Sequence, residues 1–387
     1  MVVAHLIYGL AGYAILAIAA GYSLAVLVAV LVWRAYVSRP RQQHQQQPPV
    51  TILKPLCGAE PELYTHLRSF CQQDYPEYEI IFGVLDPSDP AIPVAQRLQD
   101  EFAQLPITIV VNGQRHGNNN KSNNLINMLT RARHPILVIS DSDTWVRPDY
   151  LSTLIGPILD DGVGLVTCLS HDWPTPPLWS HLGAMYVNEW YFPTVMLAWL
   201  FGNQCYASGQ TLCLRRSTLE AIGGLRSFAD HLADDYRLGE LIRAQGLRIV
   251  LSPLEVQTEH HEPDFAALNH HELRWMRTLH ILRPLSFKMI FLTFSVPLAV
   301  IGVTLTAGLP RHTLGWLLLG VTVLARLALH LVQRLRTGQP LFEDLYLVPV
   351  REVLMLYVWC QSFFHKRVTW RGTEFEVDNT GVMRRVV

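Results

Sequence analysis

Ile136-Leu-Val-Ile-Ser-Asp-Ser-Asp143 says most about the architecture of this chain. A short apolar run that reads as a buried strand ends in two carboxylates one residue apart. In an open α/β sheet, ligands collect at the carboxyl ends of the strands. Side chains two apart on an extended chain point to the same face. Asp141 and Asp143 can therefore present paired oxygens to a divalent cation, and hard oxygen donors suit Mg2+ or Mn2+. Taken alone, the same residues also describe an Asx-rich turn closing a strand.

Outward from this stretch the pattern alternates. Val50–Leu53, Glu79–Leu85, Ile107–Val111 and Val163–Leu169 read as further strands, with a helix over Glu60–Gln72 and another beginning near Lys121. Strands alternating with helices of this length predict an α/β domain with a mostly parallel sheet covered on both faces.

The flanks are apolar. Of 387 residues, 50% are hydrophobic and 16% charged, and the mean hydropathy of +0.18 predicts a mixed soluble and membrane architecture. A net charge of −1 gives no electrostatic footprint for nucleic acid. Six cysteines without a C-x-x-C pair form neither a disulfide framework nor a zinc site; most are expected to be small buried hydrophobes. Leu6–Trp33 carries no charge and exceeds the ~20 residues that cross a bilayer. Met1-Val-Val-Ala-His lacks the basic leader of a signal peptide, so a retained anchor is expected over residues 1–33. Arg34, Arg39 and Arg41 follow it and place the next segment in the cytoplasm. Residues 34–48, polar and Pro-terminated, read as a linker, and 49–280 as the catalytic domain. Met289–Leu309 is a second expected span despite Pro297, and Leu314–Val332, interrupted by Arg326, a third. Leu345–Phe364 is long enough to cross but carries Arg351-Glu352 and precedes the basic His365-Lys-Arg367, so an interfacial or re-entrant course is preferred. The segment 281–364 is thus a helical hairpin plus a third membrane or interfacial helix, and 365–387 a tail.

Acids recur in the α/β segment. Asp86 follows the second strand in Val84-Leu-Asp-Pro-Ser-Asp-Pro90, and Asp234-Asp235 lies in His231-Leu-Ala-Asp-Asp-Tyr236. Arg274-Trp275 comes later, in His271-Glu-Leu-Arg-Trp-Met276. Singly these are a Pro-flanked turn, an acidic first helical turn and a juxtamembrane anchor. Jointly they suit glycosyl transfer from a nucleotide-diphosphate sugar. The early carboxylate accepts hydrogen bonds from uracil or ribose, and a metal on the Asp-x-Asp pair neutralises the diphosphate. A later carboxylate takes the proton of the attacking hydroxyl, and Arg with Trp grips phosphate or acceptor. One base and no covalent carboxylate implies inversion at the anomeric carbon.

The order Asp86, Asp141-Ser-Asp143, Asp235, His271-x-x-Arg274-Trp275 resembles the D, D, D, (Q/R)xxRW signature of inverting membrane glycosyltransferases of the ceramide glucosyltransferase family. Lys54-Pro-Leu-Cys-Gly58, Asp89-Pro-Ala91, Lys121-Ser-Asn-Asn-Leu125, Val163-Gly-Leu-Val166 and Thr369-Trp-Arg371 carry the resemblance further, over residues 50–371. It implies a GT-A (nucleotide-diphospho-sugar transferase) fold, with Asp86 at the nucleotide, Asp141 and Asp143 at diphosphate and metal, and Asp235 as base beside Asp234. Arg274 and Trp275 are implied at the diphosphate and acceptor end. Lys121, at the head of a helix, either approaches the donor or is a solvated lysine. Animal ceramide enzymes tend to have glycine where Asp143 stands, and His271 replaces the Gln or Arg that opens the last motif. His231–Glu240 and Arg274–Thr278 look most like the bacterial hopanoid branch. The expected reaction moves N-acetylglucosamine from its UDP donor to bacteriohopanetetrol at the cytoplasmic face of a bacterial inner membrane. UDP-glucose:ceramide glucosyl transfer is the nearest alternative; a processive polysaccharide synthase and a silent membrane scaffold are the others. His260, His261, His270 and His271 lack a metal-site spacing. Trp190–Phe201, too short to span, reads as a buried core helix or as an interfacial helix admitting a lipid hydroxyl.

Overall fold

The structure is a computed structural model that describes residues 2–38, 46–203, 207–364, 367–370 and 373–386. Residues 39–45 of the expected linker, including Arg39 and Arg41, lie outside the described residues, as do Cys205, His365, Lys366 and Arg371. Contacts divide the chain into two compact units. One comprises residues 39–173, 203–259 and 373–387, the other residues 1–38, 174–202 and 260–372.

The first unit is built on a seven-stranded sheet: β1 (Val50–Pro55), β2 (Tyr78–Val84), β3 (Ile107–Val111), β4 (Ile136–Ile139), β5 (Val163–Pro174), β6 (Leu212–Arg215) and β7 (Arg248–His260), in the order β3-β2-β1-β4-β6-β5-β7. β3, β2, β1 and β4 run parallel, and β6 is antiparallel to both β4 and β5. This is the GT-A arrangement, a mostly parallel mixed sheet. Side chains alternate across it as the period of two demands. Val50, Ile52, Ile80, Phe82 and Val138 pack into one core with Leu67, Phe70 and Tyr150. Leu53, Ile81, Leu137 and Ile139 pack into the other with Leu125, Met128, Leu238 and Ile242. Burial on both faces explains why these strands are mainly apolar rather than alternating. Between β1 and β4 the strand order reverses, so a crevice opens beyond their carboxyl ends. Lys54 ends β1 and Asp141 follows β4, one on each side of that switch point.

The helix Asn120–Leu129 is seated by two devices. Asn119 caps it, its side chain accepting from Ser122 N at 3.0 Å. Gly83 on β2 lets it approach closely: a Cβ there would collide with Met128 and Asn124, and Asn124 Nδ2 donates to Gly83 O at 2.7 Å. The chain ends in a hairpin of this unit, Thr373–Val377 pairing antiparallel with Met383–Arg385.

The second unit is helical. Ile7–Val37 and His312–Thr337 are long and apolar enough to cross a membrane. The expected span Met289–Leu309 is instead broken: Pro284–Thr293 and Ser295–Leu305 meet at 67°. Pro297 does not cause the break, since it lies in the first turn of the restarted helix, where no N–H is missed. Phe294 leaves helical geometry (ψ 75°), and the exposed Val296 N–H is satisfied by Glu352 Oε2 at 3.0 Å. Gly12 and Gly302 face one another, so the N-terminal helix and Ser295–Leu305 touch backbone to backbone.

Within Leu345–Phe364, the helix runs over Val348–Gln361, 14 residues, or about 21 Å, short of a ~30 Å hydrocarbon core. Its polarity is inverted. Arg351 and Glu352 are buried, pairing with Glu272 at 2.6 Å and Arg326 at 2.7 Å, while Tyr346, Val350, Val353 and Tyr357 are exposed. The run Trp190–Phe201 falls in a helical stretch that passes through one π-turn, Tyr186–Tyr191, before Phe192–Leu200. It packs on the N-terminal span, with Tyr22 Oη 2.8 Å from Thr194 Oγ1 and Trp199 edge-on to Trp33.

Candidate functional site

The carboxyl ends of β1 and β4 gather most of the acids singled out above. Lys54 is fully buried beneath the Asp-x-Asp turn. Its ammonium lies 3.7 Å from the centre of the Phe70 ring and donates to Ser140 Oγ at 3.3 Å and to the Asp141 carbonyl. Burial pulls Lys54 down to about 7, against the nearby charges of Asp143 and Asp141. Lys121 is no solvated lysine: its side chain is 16% exposed, with Nζ 2.5 Å from Asp141 Oδ1 and 3.8 Å from Asp234 Oδ2. Burial opposes its charge, but Asp141, Asp234 and Asp235 together raise it above the ordinary lysine range.

The acids show the opposite strain. Burial, then Asp141 and Glu60, push the Asp143 carboxyl up to about 7. Burial and the neighbouring Asp234 push Asp235 up to about 6, while Asp234 is raised mainly by its own burial. Asp234 and Asp235 open the helix Asp234–Ala244, and Asp235 Oδ1 accepts from Tyr236 N at 2.7 Å. Asp235 Oδ2 accepts from Gly209 N at 3.1 Å.

Gly209 is the residue that sequence reasoning missed. A Cβ placed there would lie 3.2 Å from Asp141 Oδ2, 3.2 Å from Lys121 Nζ and 3.5 Å from Asp235 Oδ2. The backbone of the Ser208–Thr211 turn therefore occupies the centre of the cluster. The only sequence signal was a small turn residue just before the short strand β6. Lys54 was visible as part of a motif, but nothing in the sequence put it under Asp141.

Asp86 stands apart at the end of β2. It is exposed, and its Oδ1 accepts from Ser88 N at 2.8 Å and Ser88 Oγ at 2.6 Å, which hold the carboxyl below its usual range. Next to it Asp89 accepts from Gly58 N at 3.0 Å, in a turn where Gly58 has φ 83°. This arrangement leaves Asp86 ionised and open to a ligand.

His271, Arg274 and Trp275 belong to the helical unit, on the helix Phe265–Leu282. His271 Nδ1 lies 2.7 Å from Glu262 Oε1. Its ring starts an aromatic series: His271 to Trp275 at 4.2 Å, Trp275 to Tyr186 at 5.0 Å, Tyr186 to Trp190 at 5.2 Å. The unusual residue at the head of the motif is thus oriented by an acid and lies tilted, at 51°, against the Trp it precedes.

Among the described residues no group of three or more His, Cys, Asp or Glu is placed to hold a metal ion. Asp141 and Asp143 nevertheless fit a divalent cation that also takes oxygens from a diphosphate and water, the usual state of Mg2+. Burial chiefly raises Asp143, with the Asp141 carboxylate beside it adding to the rise, and a divalent cation held there would offset both.

The chain is 25% identical over 247 residues to ceramide glucosyltransferase 1 of Caenorhabditis elegans, covering 62% of this chain and 53% of the relative. With ceramide glucosyltransferase 3 of the same organism it shares 22% over 350 residues, 85% and 73% of the two chains. The chain thus spans about half the length of the first of these relatives. Among solved structures, a mannosyltransferase from Pyrobaculum calidifontis with GDP-Man and Mn2+ superposes with a TM-score of 0.49 at 18% identity, over 90% of this chain and 99% of that one. The family described as Glycosyl transferase family 21 matches residues 12–383, and the chain belongs to it.

Proposed function

We propose that the chain is an inverting transferase that joins one sugar from a UDP donor to the hydroxyl of a membrane lipid. The observation that carries this reading is the Lys121–Asp141–Asp234–Asp235 cluster closed around Gly209 beyond β1 and β4. In the proposed site Asp86 receives the nucleoside, and Lys121 meets the negative charge of the leaving diphosphate. Asp235 accepts the proton of the lipid hydroxyl as its oxygen bonds to the anomeric carbon; the bond from that carbon to the phosphate oxygen breaks and UDP departs. A carboxyl raised to about 6 is ionised at neutral pH yet more basic than an ordinary aspartate. Asp141 and Asp143 would hold Mg2+ or Mn2+, which supplies Lewis-acid neutralisation of the diphosphate. The aromatic series from His271 to Trp190, with Arg274 on the same helix, suits a sugar ring or a polycyclic lipid.

Sequence likeness to the hopanoid branch supports UDP-N-acetylglucosamine and bacteriohopanetetrol at the cytoplasmic face of a bacterial inner membrane. The relatives named ceramide glucosyltransferase support UDP-glucose and ceramide comparably. Two helices able to cross a membrane support lipid over a soluble acceptor in both readings. The test is UDP release by the purified chain with each donor and each lipid, followed by mass spectrometry of the lipid product. Release that depends on lipid and divalent cation is expected. No lipid-dependent release with any pair would overturn the reading.

A further inference from the structure

The last fifteen residues read from sequence as a tail, yet they return to the loops that carry the cluster. Met383 is fully buried and Phe375 nearly so. The hairpin sets its own turn: Asp378 Oδ1 accepts from Thr380 N at 2.9 Å, Thr380 Oγ1 at 2.6 Å and Val382 N at 3.1 Å, and Gly381 takes φ 86°. Its second strand then lies along residues 229–232. Met383 N donates to Asp230 O at 2.8 Å, Leu232 N donates to Gly381 O at 2.9 Å, and His231 bridges Val382.

A second loop joins the same junction. Asn118 donates through N at 2.8 Å and through Nδ2 at 2.9 Å to Asp230 Oδ1, and its Nδ2 also donates to Met383 O at 3.0 Å. Asn119 N donates to Ala229 O at 2.8 Å and its Nδ2 to His231 O at 2.8 Å. Gly117 lies so close to Ala229 that a Cβ would strike its carbonyl. Three residues after Asn118 comes Lys121; two after Leu232 come Asp234 and Asp235. The hairpin therefore ties together, by backbone and one amide side chain, the two loops that launch the Lys121 helix and the Asp234–Asp235 helix.

We propose that this C-terminal hairpin is a positioning element of the site, and that Asn118 and Asp230 are the positioning residues through which it fixes Lys121 relative to Asp234 and Asp235. Neither residue touches the cluster. Their effect is geometric: a misplacement of ~1 Å in a reacting group costs on the order of a hundredfold in rate. The catalytic consequence rests on the proposed function; the bracing itself does not.

The experiment uses the full chain in nanodiscs. Asn118→Ala removes the Nδ2 links to Asp230 and Met383 and leaves both backbones intact. Asp230→Asn keeps an acceptor oxygen for Asn118 and serves as the conservative rescue. Met383→Pro removes the N–H given to Asp230 O and strikes the junction from the hairpin side. Amide hydrogen exchange over 229–236 should quicken about tenfold in Asn118→Ala and Met383→Pro, the loss of one or two net hydrogen bonds. In Asn118→Ala, kcat should fall ~10–100-fold with donor KM within about twofold and the folded fraction at the assay temperature unchanged. Asp230→Asn should stay within about threefold of the parent. Unchanged exchange in both disrupting variants, or full kcat alongside quickened exchange, overturns the proposal. So does a fall in kcat matched by an equal fall in folded fraction. If the parent chain itself releases no UDP, the proposed function falls while the exchange measurement still decides the bracing.

Discussion

Both units bury charge, and they do so in opposite ways. In the helical unit the charges pair off: Arg351 forks onto both oxygens of Glu272, Arg326 meets Glu352, His330 meets Glu189 and Arg334 meets Asp344. In the sheet unit, Asp141, Asp143, Asp234 and Asp235 crowd around Lys54 and Lys121 without a cation for each acid. The first set is matched charge for charge and holds helices together. The second holds more acids than cations, an excess that a ligand can neutralise, and burial first, then this crowding, raises its carboxyls. Balance marks structure here, and imbalance marks the site.

Asp235 is where the difference between the two units should have its largest effect. Asp235→Asn keeps the shape and removes the base, so transfer should fall ~10³-fold while UDP-sugar binding persists. Loss of donor affinity in isothermal titration would place Asp235 at the donor instead. A paired charge should behave differently. Arg351→Ala leaves Glu272 buried alone and should destabilise the unit by about 3–5 kcal/mol in chemical unfolding, whereas Arg351→Met with Glu272→Leu should lie near the parent. A double variant as unstable as the single would show that the pair is more than charge-matched packing. Gly209→Ala sharpens the other side. Its methyl meets Asp141 and Lys121 at the edge of contact, so kcat should drop about tenfold with the fold intact; full activity would move the centre of the site elsewhere.

The smallest expected effect is the pH dependence of stability. Asp143 and Asp235 are raised from 3.8 to about 7 and about 6, so the folded chain holds protons that the unfolded chain has released. Their contribution is greatest at low pH and is lost as pH climbs from 4 to 7. With chelator present, the melting temperature should fall by ~2–4 °C over this window for each kcal/mol lost, and Mn2+ should restore it at the upper end. A flat profile, or no response to Mn2+, would mean that the surplus is already compensated.

Much of this was legible in the sequence because the signals were local. The strand before Asp141 is an uninterrupted apolar run between polar segments, and parallel strands covered on both faces must be. The order of acids and the Arg-Trp pair followed from adjacency to strand and helix ends. What stayed hidden depends on distant residues meeting. Gly209 gains its meaning only from the chains that surround it. Phe294 breaks a span that is uncharged throughout, because the restarted helix finds its partner in Glu352, more than fifty residues later. The hairpin Thr373–Arg385 alternates weakly, and nothing local says that it pairs with residues 229–232.

The π-turn at Tyr186–Tyr191 has a further consequence. One extra residue in a helical turn advances the angular phase of everything after it by about 100°. Glu189 and Trp190 sit inside the wide turn, facing His330 and Thr293 respectively. Thr194 and Trp199 sit beyond it, facing Tyr22 and Trp33. Deleting a single residue there would leave an unbroken helix of normal propensity, with its two halves newly in phase. Thr194 and Trp199 would swing away from the N-terminal span, so the register of one turn decides whether this stretch and that span share a seam.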